Sequence, residues 1–343
     1  MLHLMDTINS GKVYVIAEMS ANHGGSLDNA LEIVRLAAKA GADCVKLQTY
    51  TADSLTINCD NNYFQIQDGL WSGYKLYDLY QNANTPYEWH SRIKEECEKR
   101  GVDFLSTPFD NAAVDFLEKL GIEAYKIASF ELVDIPLIEY TASKGKPMIL
   151  STGMGTIDEI QDAIDACHRV GNEQIILLKC CSQYPSPWED MRLGNIPDMK
   201  ERFKVPIGLS DHSMGSLGAV VGVTLGACVV EKHIKLDNVT SADSKFSMTA
   251  DEFAQMVKDI RTTKVIAQGP DYSLTHGEQT SMIFRRSVFA VKDIEVGDIF
   301  TTDNLRIIRP GYGIKPKYLK DLIGKKCKCT IHYGDPISDE MKG

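Results

Sequence analysis

Two of the eight histidines stand where a metal ion could be held. His212 follows the apolar run Val205 to Leu209, and His233 closes the run Cys228 to His233, with a small-residue helix from Gly215 to Ala227 between them. Strand, helix and strand in that order make one βαβ unit, whose parallel strands end on the same side, so both imidazoles can face one point. Neutral imidazole suits a divalent transition metal, and Asp211, Glu231, water or a substrate oxygen can complete the shell. The alternative is a pair of core histidines satisfied by hydrogen bonds.

Other groups with chemical potential also follow short apolar runs. Val13 to Ala17 ends at Glu18, and a turn at Asn22-His23-Gly24-Gly25 opens a helix capped by Ser26 and stopped at Gly41. From Ala42 to Thr49 the chain alternates, so Val45 and Leu47 share one side and Lys46 and Gln48 the other. That pattern is expected when the first pair meets helices and the second lines a central site; an edge strand with a solvated Lys46 would alternate similarly. Further strands are expected at 102–106 before Thr107, at 124–129 with Lys126 and Ser129, at 146–151 ending on Ser151, and at 174–179. Helices are expected from Thr85 to Arg100 (a capping box with proline in the first turn), from Asn111 to Leu120, after Thr156, and from Asp251 to Ala267. Residues 50–84, rich in aromatics such as Trp71, Tyr77 and Tyr80, are an insertion beyond that count and read as a substrate-side loop with a short helix.

Eight strand-helix alternations over about 270 residues predict an α/β fold, a (β/α)₈ TIM barrel, whose chemistry sits at the C-terminal strand ends. Glu18, Lys46, Gln48, Thr107, Lys126, Ser129, Glu131, Ser151, Tyr184, Ser210, His212 and His233 all fall at or just past such ends. Helix capping is the competing role for each serine or threonine taken singly. Lysines, small hydroxyls and a metal pair around one mouth suit a phosphorylated or carboxylated substrate without naming a reaction.

The predicted domains are a catalytic barrel over 1–268, an irregular polar linker over 269–284, and a small mixed domain over 285–343 whose core is too small to be very stable alone. A formal charge of -10 argues against a nucleic-acid surface, so an anionic ligand needs a local basic pocket. Nine irregularly spaced cysteines, Cys180 and Cys181 among them, fit reduced, buried, small apolar residues better than a disulfide framework. No segment approaches the roughly 20 apolar residues of a membrane span, and the expected location is the cytoplasm.

Ala17-Glu18-Met19-Ser20-Ala21-Asn22-His23-Gly24-Gly25, Lys46-Leu47-Gln48-Thr49, Ser106-Thr107-Pro108-Phe109, Lys126 through Glu131, Leu209-Ser210-Asp211-His212 and Glu231-Lys232-His233 resemble the sialic acid synthase family over nearly the whole chain. The tail from Arg286-Ser287 to Gly324-Lys325 resembles that family's antifreeze-like (SAF) domain. Gly69-Leu70-Trp71, Leu76 through Tyr80, Thr85 through His90 and Asp243 through Ser247 resemble the branch of the family that makes pseudaminic acid. The resemblance implies condensation of phosphoenolpyruvate with an amino sugar, 2,4-diacetamido-2,4,6-trideoxy-L-altrose, releasing phosphate by C–O cleavage. It implies a divalent ion as well, Mn²⁺ first, with Mg²⁺ or Co²⁺ as alternatives.

On the same basis Lys46, Thr107, Lys126, Ser129, Ser151, Ser182 and Ser210 would hold phosphoenolpyruvate, and His212 and His233 the metal. Glu18 would be the acid/base, with Glu131 as second candidate. Gln48, Tyr184 and Asp243 would contact the sugar, and Arg286 would reach the site of a partner subunit in a domain-swapped homodimer. Two positions depart from the family: Ser182 stands where asparagine is usual, and Phe130 where a small residue is usual. A bulkier, apolar wall suits a 6-deoxy sugar, a preference worth about 1–3 kcal/mol. Rival expectations are a sialic or legionaminic acid synthase with the same chemistry, a metal-dependent pyruvate aldolase, and a non-catalytic carbohydrate-binding protein.

Overall fold

Eight short runs, each buried along its whole length, become parallel strands: β1 (Tyr14–Glu18), β2 (Cys44–Thr49), β3 (Asp103–Pro108), β4 (Tyr125–Ile127), β5 (Met148–Ser151), β6 (Ile175–Cys180), β7 (Ile207–Asp211) and β8 (Val229–His233). The computed structural model describes residues 3–343; the first two residues of the expected barrel domain lie outside the described residues. Ladder order is β3-β2-β1-β8-β7-β6-β5-β4, and the terminal pair β3 and β4 lie side by side, closing a TIM-like barrel. Two compact units divide the chain at Gln268 and Gly269.

Period-two alternation divides the strand residues between two cores. Val15, Ala17, Val45, Leu47, Leu150, Leu177, Leu209 and Val230 face outward into a layer shared with the helices. Tyr14, Ile16, Cys44, Leu105, Ala124, Ile149, Ile176, Leu178 and Val229 face inward and fill the lower barrel. Gly208, also inward, has no space for a side chain: a Cβ there would lie 2.6 Å from both Leu178 Cδ2 and the Val229 carbonyl oxygen. The barrel base is stoppered by a helix that sequence patterning did not indicate, Leu4–Asn9, whose Leu4 packs fully buried into the inner cluster. Beside it Tyr14 donates to Asp103 Oδ2 at 2.6 Å, and the His3 backbone N–H donates to the same oxygen at 2.8 Å.

The helix after Thr85 departs from expectation. A 3₁₀ turn covers Tyr87–Trp89 and the α-helix runs His90–Arg100 with no side-chain cap, because the Thr85 hydroxyl is engaged with His23 Nε2 at 3.2 Å. The last barrel helix, Ala250–Ile266, does carry a capping box between Thr249 and Glu252.

In the second unit, Ser287–Ala290 (β9) and Leu305–Ile308 (β10) pair antiparallel over a small core that includes Val288, Phe300, Leu322 and Ile337. The 269–284 segment, expected to be irregular, instead contains a helix His276–Ser281 with a Thr275–Glu278 capping box and a 3₁₀ turn Met282–Phe284; the missed signal is Thr-x-x-Glu. Among the described residues no helix is long and apolar enough to cross a membrane.

Candidate active site

One step above the apolar filling, the same inward positions turn polar. Glu18, Lys46, Lys126, Ser151, Cys180, Ser210, Glu231 and His233 occupy the upper ends of their strands and His212 follows β7 directly; each is no more than 7% exposed. Parallel register explains the convergence: Glu18 pairs with Lys46 on one side and His233 on the other, and Ser210 pairs with Glu231.

Lys46 Nζ lies 2.6 Å from Glu18 Oε2 and 3.8 Å from Glu231 Oε2, and donates to Thr107 Oγ1 at 3.3 Å. Lys126 Nζ donates to Ser151 Oγ at 2.6 Å and to the Ile127 carbonyl at 2.9 Å. Ser210 donates to Glu231 Oε1 at 3.2 Å, and Gln48 to Glu18 Oε1 at 3.2 Å. Burial pushes the Glu18 carboxyl up; Lys46 opposes the shift and the negative charge of Glu231 adds to it. Burial acts likewise on Glu231, but Lys126, Lys46 and His212 outweigh it and hold that group below the usual carboxylate range. Lys126 is lowered by burial, resisted by Glu231 and reinforced by the charge of Lys46. Two cations, one anionic carboxylate and one carboxyl able to carry a proton therefore share the floor.

His212 and His233 do come together, with ring centroids 5.3 Å apart. The His212 Nδ1 faces the Cys181 carbonyl at 3.2 Å and must donate to it, which leaves Nε2 as the ligating atom. Burial and the neighbouring positive charges hold His233 far below its ordinary value, so it is neutral, and its Nδ1 is buried with no hydrogen-bond partner among the described residues. The two free imidazole nitrogens are donors of the kind a divalent transition cation takes. No cluster of three His, Cys, Asp or Glu ligands occurs among the described residues, so the pair would need oxygen from water or substrate. Asp211, considered for that shell, turns outward as β7 alternation requires: it pairs with buried Lys232 at 2.8 Å and receives the Ser213 hydroxyl at 2.7 Å.

A cavity of about 390 Å³ opens above this floor. Ser129, Glu131, Gln48, Tyr184 and Asp243 line it as expected. Glu131 Oε2 is buried without a hydrogen-bond partner among the described residues, and burial raises that carboxyl to about 7. The Tyr184 ring lies tilted at 50° against that of His212 with centroids 4.5 Å apart, and Asp243 accepts the Ala21 N–H at 3.3 Å. Thr107 lies beneath, supporting Lys46. Ser182 stands aside, 3.8 Å from Cys180 Sγ, and faces a neighbouring depression with Lys179 and Arg192. Arg286 belongs to the second unit, exposed just ahead of β9.

Some site residues escaped the sequence reading. Cys180 is no mere filler. Burial alone would raise its thiol, but His212, 3.7 Å away, outweighs that and brings it to about 7. The inward alternation of Leu178 and Cys180 was the available signal. Phe246, whose ring is 4.8 Å from that of His233, carried none apart from the resemblance.

The roof comes from residues 50–84, folded as helices Ala52–Leu55 and Leu76–Ala83 around a loop closed by the Gln65–Lys75 bridge and the Ile66 N–H to Tyr74 carbonyl bond. Trp71 pins it: the indole N–H donates to the Ala242 carbonyl at 3.1 Å, and the ring lies 5.5 Å from that of Tyr184.

Residues 33–271 match the NeuB family, and residues 285–341 match the SAF domain. The chain belongs to the NeuB family. It is 45% identical over 329 residues to pseudaminic acid synthase of Campylobacter jejuni subsp. jejuni serotype O:23/36 (strain 81-176), covering 96% of each chain. Pseudaminic acid synthase of Helicobacter pylori (strain ATCC 700392 / 26695) is 42% identical, over 94% of this chain and 96% of that one. Among solved structures, an N-acetylneuraminic acid (sialic acid) synthetase from Leptospira borgpetersenii serovar Hardjo-bovis in complex with citrate superposes with a TM-score of 0.70 at 30% identity, covering 79% of this chain and 90% of that one. Its NeuB-family relatives are synthases of nonulosonic acids, and the chain is accordingly an enzyme.

Proposed function

We propose that the barrel condenses phosphoenolpyruvate with 2,4-diacetamido-2,4,6-trideoxy-L-altrose and water, giving pseudaminate and inorganic phosphate. The observation that carries the reading is the convergence of buried Lys46 and Lys126, with Ser151 and Ser210, at the strand tips beside the histidine pair. Kinship with the two pseudaminic acid synthases supports the choice of sugar.

Lys46 and Lys126 neutralise the phosphate and carboxylate of phosphoenolpyruvate, while Ser129, Ser151 and Ser210 orient it by donating to its oxygens. Thr107 holds the Lys46 ammonium in place. A divalent cation held by His212 and His233 would supply Lewis acidity at the sugar carbonyl, Mn²⁺ being the first choice. The enol C3 of phosphoenolpyruvate bonds to the aldehyde carbon, water adds at C2, and the C2–O bond to phosphate breaks, so phosphorus is not attacked. Both protons of the water must move: one reaches the new alkoxide, and the other goes to the departing phosphate as the C2 hydroxyl becomes the ketone. Glu18 and Glu131, both raised by burial toward neutrality, are placed to exchange them. Gln48, Tyr184 and Asp243 face the sugar.

The SAF domain serves a partner's barrel through Arg286 in a head-to-tail dimer; sedimentation that returns a fully active monomer counts against this. The reaction is tested by phosphate release with a divalent metal, phosphoenolpyruvate and a panel of hexosamines. Release is expected with the diacetamido-trideoxy sugar. Preference for N-acetylmannosamine would remove the sugar assignment, and no release with any sugar would remove the reaction.

A further inference from the structure

The cavity has two unlike halves. Its floor carries the charged and hydroxyl groups already described. Its hood, made mostly by residues 50–84, presents Leu55, Ile66, Trp71, Leu76, Leu79 and Tyr80. The polar atoms of this hood are few: the Trp71 N–H is taken by the Ala242 carbonyl, which leaves the phenol hydroxyls of Tyr50 and Tyr80, whose rings lie 6.0 Å apart. No charged side chain of the 50–84 segment lines the cavity.

A sugar hydroxyl placed under such a surface gives up water and finds little in return, whereas a methyl group gains by the same move. From this contrast we infer that the 50–84 hood is the specificity element of the barrel, selecting sugars whose periphery carries methyl groups, both deoxy and N-acetyl, over fully hydroxylated hexosamines. The inference rests on the proposed condensation and assigns its substrate preference to named residues. Trp71 acts by position: joined to Ala242 on one side and in tilted ring contact with Tyr184 on the other, it keeps the hood over the sugar. Leu76 and Ile66 supply surface. Both are only half-buried, so they can be altered without opening the core.

The experiment compares kcat/KM for the diacetamido-trideoxy sugar and for N-acetylmannosamine in the full-length enzyme, with the KM for phosphoenolpyruvate measured alongside. Leu76→Asn and Ile66→Asn are each expected to lower the selectivity ratio about tenfold or more, the range known for a methyl in an apolar pocket. KM for phosphoenolpyruvate should stay within about twofold, which also reports an intact barrel. Leu76→Met, which conserves apolar volume, should retain the wild-type ratio. A ratio unmoved in both asparagine variants, or a phosphoenolpyruvate KM that shifts in step with it, would overturn the assignment. The two failures read differently: a wild-type enzyme indifferent to the deoxy sugar sinks the proposed sugar and the hood together, whereas a selective wild type with unselective hood variants missing sinks the hood alone.

Discussion

The lower and upper halves of the barrel interior are built from the same strands, two residues apart, and do opposite things. Below, Ile16, Cys44, Leu105, Ile149, Ile176 and Leu178 interlock in a dry core, and the one prominent polar contact, Tyr14 with Asp103, sits at the base. Above, each strand exchanges that apolar residue for a charge, a hydroxyl, a thiol or an imidazole. Burial of apolar surface stabilises the lower half, while burial of ionisable groups works against the upper half. The fold thus concentrates stability at one end and carries its reactive groups at a cost at the other.

Lys126→Met should separate the two most sharply. The lysine is fully buried, has no carboxylate partner within ion-pair distance among the described residues, and is held below its ordinary value by burial, so its loss relieves that penalty, while Glu231, which loses its largest positive influence, can take up a proton instead. We expect kcat/KM to fall about 10³-fold, as when a preorganised charge-stabilising group is removed, with a melting temperature equal to or above that of the wild type. A marked drop in melting temperature would break the contrast. In the lower half, Ile176→Ala should cost about 2–5 kcal/mol in denaturant unfolding and leave turnover per folded molecule nearly unchanged. Loss of turnover at full folding would show that the halves are not separable.

Glu131→Gln makes the finest test. Burial raises the Glu131 carboxyl from 4.5 to about 7, so it binds its proton more tightly folded than unfolded. Its favourable contribution is complete below 4.5 and is lost as pH rises through about 7. The variant should therefore match the wild type in melting temperature at pH 4 and exceed it by a few degrees at pH 8. A difference that is constant with pH would exclude a buried, proton-binding carboxyl.

Alternation made the upper half legible. The Val45, Leu47 against Lys46, Gln48 split appears in the structure as drawn from the sequence, and the strand count was sufficient for the barrel. The same alternation, applied to Asp211 and Cys180, would have turned the first outward and the second inward. What stayed hidden depends on partners distant in sequence. The capping role expected of Thr85 is lost to His23, 62 positions earlier. Leu4–Asn9 is too short to show helical periodicity, and it is defined by the barrel base it fills.

That stopper has a kinetic corollary. A well sealed at its foot has a single doorway, so whatever rests deepest must come in first and can depart only after its neighbour has gone. If phosphoenolpyruvate lies on the ionic floor and the sugar beneath the hood, the architecture itself imposes a queue on the two substrates.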